Sequence, residues 1–111
     1  MERLQIVGLG MACLDVLVRL KEMPTWERGA RLSALRFDGG GPVGTACVAA
    51  ARLGARVGFI GAAGSDQNAE LKLRSFRQAG VDLSRLVVRD GPENQVVLVC
   101  VDEETGERVW R

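Results

Sequence analysis

The residues best placed to do chemistry lie between Gly39 and Gly64. The run Gly39-Gly40-Gly41-Pro42 opens an alanine-rich segment that closes at Gly54. Glycines at the mouth of a helix let main-chain N–H groups approach a ligand with no Cβ in the way. The helix terminus adds donors that lack intrahelical partners, together with a partial positive charge. Such a mouth can hold the oxygens of a small polar ligand. Histidine is absent, so acid–base chemistry must use carboxylates, thiols or lysine, and Ser-His or Cys-His catalysis within these residues is excluded. Cys13, Cys47 and Cys100 are scattered, odd in number and without metal-ligand spacing. They read as reduced thiols that pack as small hydrophobes. Gly8-Leu9-Gly10 invites a dinucleotide-binding reading, but Cys13 stands where the third glycine belongs and a strand follows it. A Rossmann-type nucleotide binder fails on both counts.

The elements that must carry these residues follow from periodicity. Leu4 to Gly10 reads as a buried strand. Residues 14–20 and 31–37 alternate with period two and form a two-stranded flap joined by the connector 23–29, with Trp26 packed against it. Val43 to Leu53 carries Val43, Ala46, Cys47 and Ala50 at helical spacing, with Pro42 in the first turn and Gly54 past the end. Residues 56–60 read as a second buried strand. Ser65-Asp66 then caps a helix running to Ala79, with Ala69, Leu73 and Phe76 on one face and Gly80 as its stop. A short strand at 86–88 precedes a long one at 95–101. Residues 103–107 form a hairpin turn, and 108–111 are the returning strand.

Strands alternating with helices predict a parallel sheet covered by helices. The two ribbons, 14–37 and 94–111, leave that sheet and make a lid together, over a core of 1–13 and 38–93. The length, 111 residues, suits one domain or part of one. A formal charge of +1 without a basic run gives no case for nucleic acid. No apolar stretch is long enough to cross a bilayer, and the N-terminus lacks a signal-peptide layout, which makes the cytoplasm the default address. The chain stops in mid-strand on Trp110-Arg111, which reads as a truncation.

The residues from Gly40 through Gly54, Gly40-Gly41-Pro42-Val43-Gly44-Thr45 and on to Arg52-Leu53-Gly54, resemble the first signature of the ribokinase/PfkB carbohydrate kinases. The resemblance continues through Gly61 to Asp66, Ala79 to Ser84 and Val101 to Arg108, in order along the whole chain. It implies a ribokinase-like three-layer α/β/α fold with a β-sheet lid, present as an incomplete N-terminal part. It also implies that Asp15 binds sugar hydroxyls, a task suited to a carboxylate that accepts from two vicinal hydroxyls at once. The Gly40-Gly41 backbone and Thr45 are implied as further sugar contacts, and Val97 and Val99 align with lid residues that touch substrate. Four departures point away from ribose, towards another sugar or a sugar acid. Cys13 and Thr45 replace asparagines, Pro42 replaces a lysine and Ala69 replaces a glycine.

The family's second signature, a Gly-Ala-Gly-Asp turn that supplies the catalytic base and an anion hole, does not occur. No catalytic residue is therefore expected here. ATP and Mg2+ would serve the full-length enzyme, and neither is expected on these residues alone. The family also implies a homodimer through the lid. The expectation is thus the substrate-side portion of an ATP-dependent sugar kinase, inactive by itself. Its rival is a non-catalytic, self-associating sugar-binding or structural module with an open sheet edge.

Overall fold

The computed structural model describes residues 3–110; Met1, Glu2 and Arg111, on which parts of the first and last expected segments fall, lie outside the described residues. The strands are β1 (Ile6–Leu9), β2 (Cys13–Leu20), β3 (Leu32–Gly40), β4 (Val57–Ile60), β5 (Ala62–Ala63), β6 (Val87–Val88), β7 (Val96–Asp102) and β8 (Arg108–Trp110). The helices are α1 (Pro42–Arg52) and α2 (Gln67–Ala79).

Local chemistry explains the helix ends. Pro42 occupies the first turn of α1, where an absent N–H costs nothing. Asp66 caps α2 by accepting from the Ala69 amide at 3.0 Å, and Gly80 closes it in the left-handed region at φ 76°. The faces of both helices meet around Phe59 and Phe76, whose rings stack at 4.7 Å with 23° between planes. Ala12, Cys47, Leu73 and Val81 complete the centre of this core.

β1 and β4 pair in parallel, as do β5 and β6. β5 was not expected; it is a two-residue pairing made inside the glycine-rich turn. The larger sheet runs β3-β2-β7-β8, antiparallel at both margins and parallel between β2 and β7. The two ribbons therefore share one sheet.

Two expectations are corrected. β1 is not a buried strand: Ile6, Val7 and Leu9 are exposed. α1 covers only one side of β1, where Gly8 and Gly10 lie against Cys47 and Val43, and among the described residues no strand pairs with its other edge. Trp26 does not pack against the flap. It stands fully exposed in the turn closed by the Thr25 amide and the Arg28 carbonyl at 2.8 Å, which directs the ring into solvent.

Candidate functional site

Asp15 sits in β2 opposite Asp38 of β3 and Val97 of β7. Its side chain is half-buried. The Cys13 thiol donates to Asp15 Oδ1 at 3.3 Å. On the other side lies Gly40, the β3 partner of Cys13. A Cβ at Gly40 would collide with the carboxylate, standing 2.7 Å from its Cγ and 2.9 Å from Oδ1. Glycine at this position is what lets the Asp15 carboxylate rest against the backbone. Burial, followed by the hydrogen bond to Asp15 and its charge, pushes the Cys13 thiol up to about 11, so it stays a protonated donor at neutral pH.

The mouth of α1 is less open than its glycines imply. Gly41 takes φ 86°, a conformation that L side chains rarely adopt, and a Cβ there would lie 2.9 Å from Met11 O and 3.0 Å from Ala12 Cα. Pro42 has no N–H to offer, and the Gly44 amide is spent on Met11 O at 3.2 Å. The donors expected here are thus partly absent and partly committed to the chain itself.

Five of the six predicted residues divide between two clefts, and Gly41 lines neither. Asp15, Val97 and Val99 line one of about 300 Å³, shared with Leu17, Arg108 and Trp110. Its volume lies at the low end of the range for small-molecule sites, about 300–1,000 Å³. Gly40 and Thr45 line another of about 240 Å³, between the end of β3 and the two helices, with Asp38, Arg52 and Ser75. Gly40 joins them, since it lines the second cleft while a Cβ on it would meet the Asp15 carboxylate. Thr45 is exposed and does not share the cleft of Asp15.

Sequence reasoning missed Arg108 and Trp110. The alternation Arg108-Val109-Trp110 was the available signal, since it puts both on the strand face opposite Val101 and Val99. It also missed a buried network below the site. Lys72 is fully buried, and its ammonium donates to Ala62 O at 2.9 Å, Glu93 Oε2 at 3.1 Å and Gln95 Oε1 at 2.9 Å. Glu93 in turn accepts from the Gly64 amide at 3.0 Å and the Gln95 amide at 2.9 Å. Burial raises its pKa, but the two amides and Lys72 outweigh that and hold the carboxyl below its usual range. The signal was the position of Lys72, three residues after Ala69 and four before Phe76 on the buried stripe of α2. Among the described residues, no group of His, Cys, Asp and Glu could hold a metal ion. No helix among them is long and apolar enough to cross a membrane.

A family model described as pfkB family carbohydrate kinase matches residues 4–110. Ketohexokinase of Mus musculus is 28% identical over 108 residues, covering 97% of this chain and 36% of that protein. The 5-dehydro-2-deoxygluconokinase of Shouchella clausii is 34% identical over 91 residues, covering 81% of this chain and 27% of that protein. Among solved structures, fructokinase from Xylella fastidiosa superposes with a TM-score of 0.73 at 29% identity, over 96% of this chain and 32% of that one. Arabidopsis thaliana ribokinase complexed with ribose and ATP gives a TM-score of 0.84 at 19% identity, over 96% and 34%, a likeness of fold alone. The chain spans about a third of the length of the ketohexokinase and of the ribose-1-phosphate kinase that it resembles.

Proposed function

The chain belongs to the pfkB family of carbohydrate kinases, and on that premise we propose that it is the substrate-binding, N-terminal portion of an ATP-dependent sugar kinase. The observation that carries this reading is the Asp15 carboxylate, held by the Cys13 thiol and resting on Gly40, in a cleft walled by Val97 and Val99. A carboxylate so placed accepts hydrogen bonds from adjacent hydroxyls of a sugar or sugar acid, while the valines cover the carbon skeleton and exclude water. Gly40, whose missing side chain makes room for the Asp15 carboxylate, is the part of the glycine run that adjoins this cleft, and Thr45 lines the neighbouring one.

The described residues do not fit ATP with Mg2+. They offer no metal-holding cluster and no Gly-Ala-Gly-Asp turn, and no step through the nucleotide is assigned to them. What these residues contribute is binding, orientation and shelter of the acceptor hydroxyl; a base and the phosphate-handling groups come from other polypeptide. Three free thiols suit a reducing compartment such as the cytoplasm.

The lid carries a second, apolar face. Val16, Leu35, Phe37 and Leu98 project from the side of the sheet opposite Asp15, and the last three are exposed. That face supports a homodimer through the lid. The same observation favours the second reading, a self-associating module without catalysis of its own.

The test is calorimetric titration of the full-length chain with pentoses, hexoses and sugar acids, with and without ATP and Mg2+. At least one such polyol binds, and Asp15→Ala weakens it roughly ten- to hundredfold, the range for hydrogen bonds to a charged group. An unchanged affinity in Asp15→Ala removes the reading.

A further inference from the structure

Lysine is among the residues least often fully buried, and an ammonium taken out of water costs several kcal/mol unless it is paired and hydrogen-bonded. Lys72 meets that condition completely. Its three donors are all used, and no buried side-chain N or O atom among the described residues lacks a partner. Yet a buried ion pair contributes little to stability that a well-packed apolar pair would not. What it does fix is geometry, because each bond sets a distance between two chain segments.

The segments joined here are the ones that surround Asp15. The ammonium of Lys72 ties α2 to Gln95, the residue just before β7. The main-chain carbonyl of Gln95 accepts from the Leu14 amide at 2.9 Å, one residue from Asp15. On the other flank, α2 lies close enough to β3 that a Cβ on Gly39 would stand 3.4 Å from the Lys72 carbonyl oxygen and 2.5 Å from Ser75 Oγ. Gly39 is paired with Leu14 and adjoins Gly40, the seat of the carboxylate. Lys72 thus reaches the root of β7 through its side chain, from a helix that also lies beside β3. Glu93 anchors the same root to the Gly64 turn.

We propose that Lys72 and Glu93 are positioning residues of the polyol site, bracing the root of β7 beside the strand that presents Asp15. This rests on the binding role proposed above. Removing the network leaves the site's own side chains intact but lets the β7 root, and with it Val97 and Val99, shift relative to Asp15.

The decisive variant is Lys72→Met/Glu93→Gln in the full-length chain, which removes both charges together and so leaves no uncompensated buried ion. Its thermal midpoint stays near that of the parent. Hydrogen exchange at the Leu14 amide, which bonds Gln95 O, accelerates about tenfold. Kd for the polyol, read by calorimetry, rises about tenfold. Lys72→Met and Glu93→Gln singly, where they fold, show the same loss of affinity with a lowered midpoint. A double variant that keeps parental Kd and Leu14 protection overturns the proposal and leaves the network a plain structural one. A parent that binds no polyol overturns the site reading and this inference with it; unchanged Kd in the double variant of a polyol-binding parent overturns the inference alone.

Discussion

Gly40→Ala separates the candidate site from the fold more cleanly than any substitution of a charged residue. Gly40 is buried but lies outside the positive-φ region, so alanine fits its backbone conformation. What alanine does not fit is the Asp15 carboxylate, which occupies the space of the new Cβ. The carboxylate must swing away, losing the Cys13 thiol at 3.3 Å and its aim into the cleft. The cost in stability is modest. Glycine to alanine in a strand gains about 0.5–1 kcal/mol, and the lost hydrogen bond returns about 1 kcal/mol. Unfolding free energy then stays within about 1.5 kcal/mol of the parent. The cost in affinity is that of Asp15 itself, about 1.5–3 kcal/mol, or roughly ten- to hundredfold in Kd. Titration calorimetry with the best polyol, beside urea unfolding of the same samples, reads both quantities. A double-mutant cycle sharpens the result: in an Asp15→Ala background, Gly40→Ala costs no further affinity, because its whole effect runs through the displaced carboxylate. Polyol binding by Gly40→Ala within twofold of the parent would refute this geometry, as would an undiminished penalty in the Asp15→Ala background.

Gly41→Ala acts on the fold instead: its φ of 86° and the nearby Met11 O and Ala12 Cα cost about 1–3 kcal/mol, read as a lower urea midpoint. Glu93 makes stability depend on acid. Its carboxyl titrates below the unfolded value of about 4.3, so its contribution is fully present above that pH and is lost as pH falls through the folded value. Glu93→Gln flattens the acid limb of urea midpoint against pH, and an acid limb of unchanged steepness would count against the assignment. The Cys13 thiol, raised to about 11 and buried, reacts with thiol reagents at pH 8 far more slowly than half-buried Cys100, as mass spectrometry of the labelled chain will show. The proposed homodimer through the lid predicts that Phe37→Lys on the exposed lid face moves sedimentation towards the monomer while leaving polyol affinity intact.

The parts of the fold legible in the sequence were those fixed by local chemistry. Asp66 as a cap, Gly80 as a stop and the alternation of residues 14–20 each act within a few residues, and each stands where the sequence puts it. Burial was read less well. The apolar run Leu4 to Gly10 looks the same whether its faces are covered or open, because periodicity encodes a strand and not its neighbours. Trp26 failed for the same reason: an aromatic ring expects a partner surface, but the Thr25–Arg28 turn points it at none. In the site, the nearness of Asp15 to Gly40 depends on the antiparallel register of two strands, which the alternating pattern allows. The two-cleft arrangement and the Lys72 brace join segments far apart in the chain, and residue types alone do not say which buried carboxylate will find which lysine.

The parallel pairing of β2 with β7 has a kinetic consequence. Leu14 meets Val96 only after everything between them, both helices and the inner strands, has been gathered in, so this is the longest loop closed by any strand pair described. Long-range parallel pairings form slowly, since chain entropy must be surrendered before the contact rewards it. The β2–β7 seam, unlike the local β2–β3 and β7–β8 ribbons of the same sheet, is therefore expected to form late. A sugar bound across that seam would act as a late clamp, slowing unfolding far more than it hastens folding.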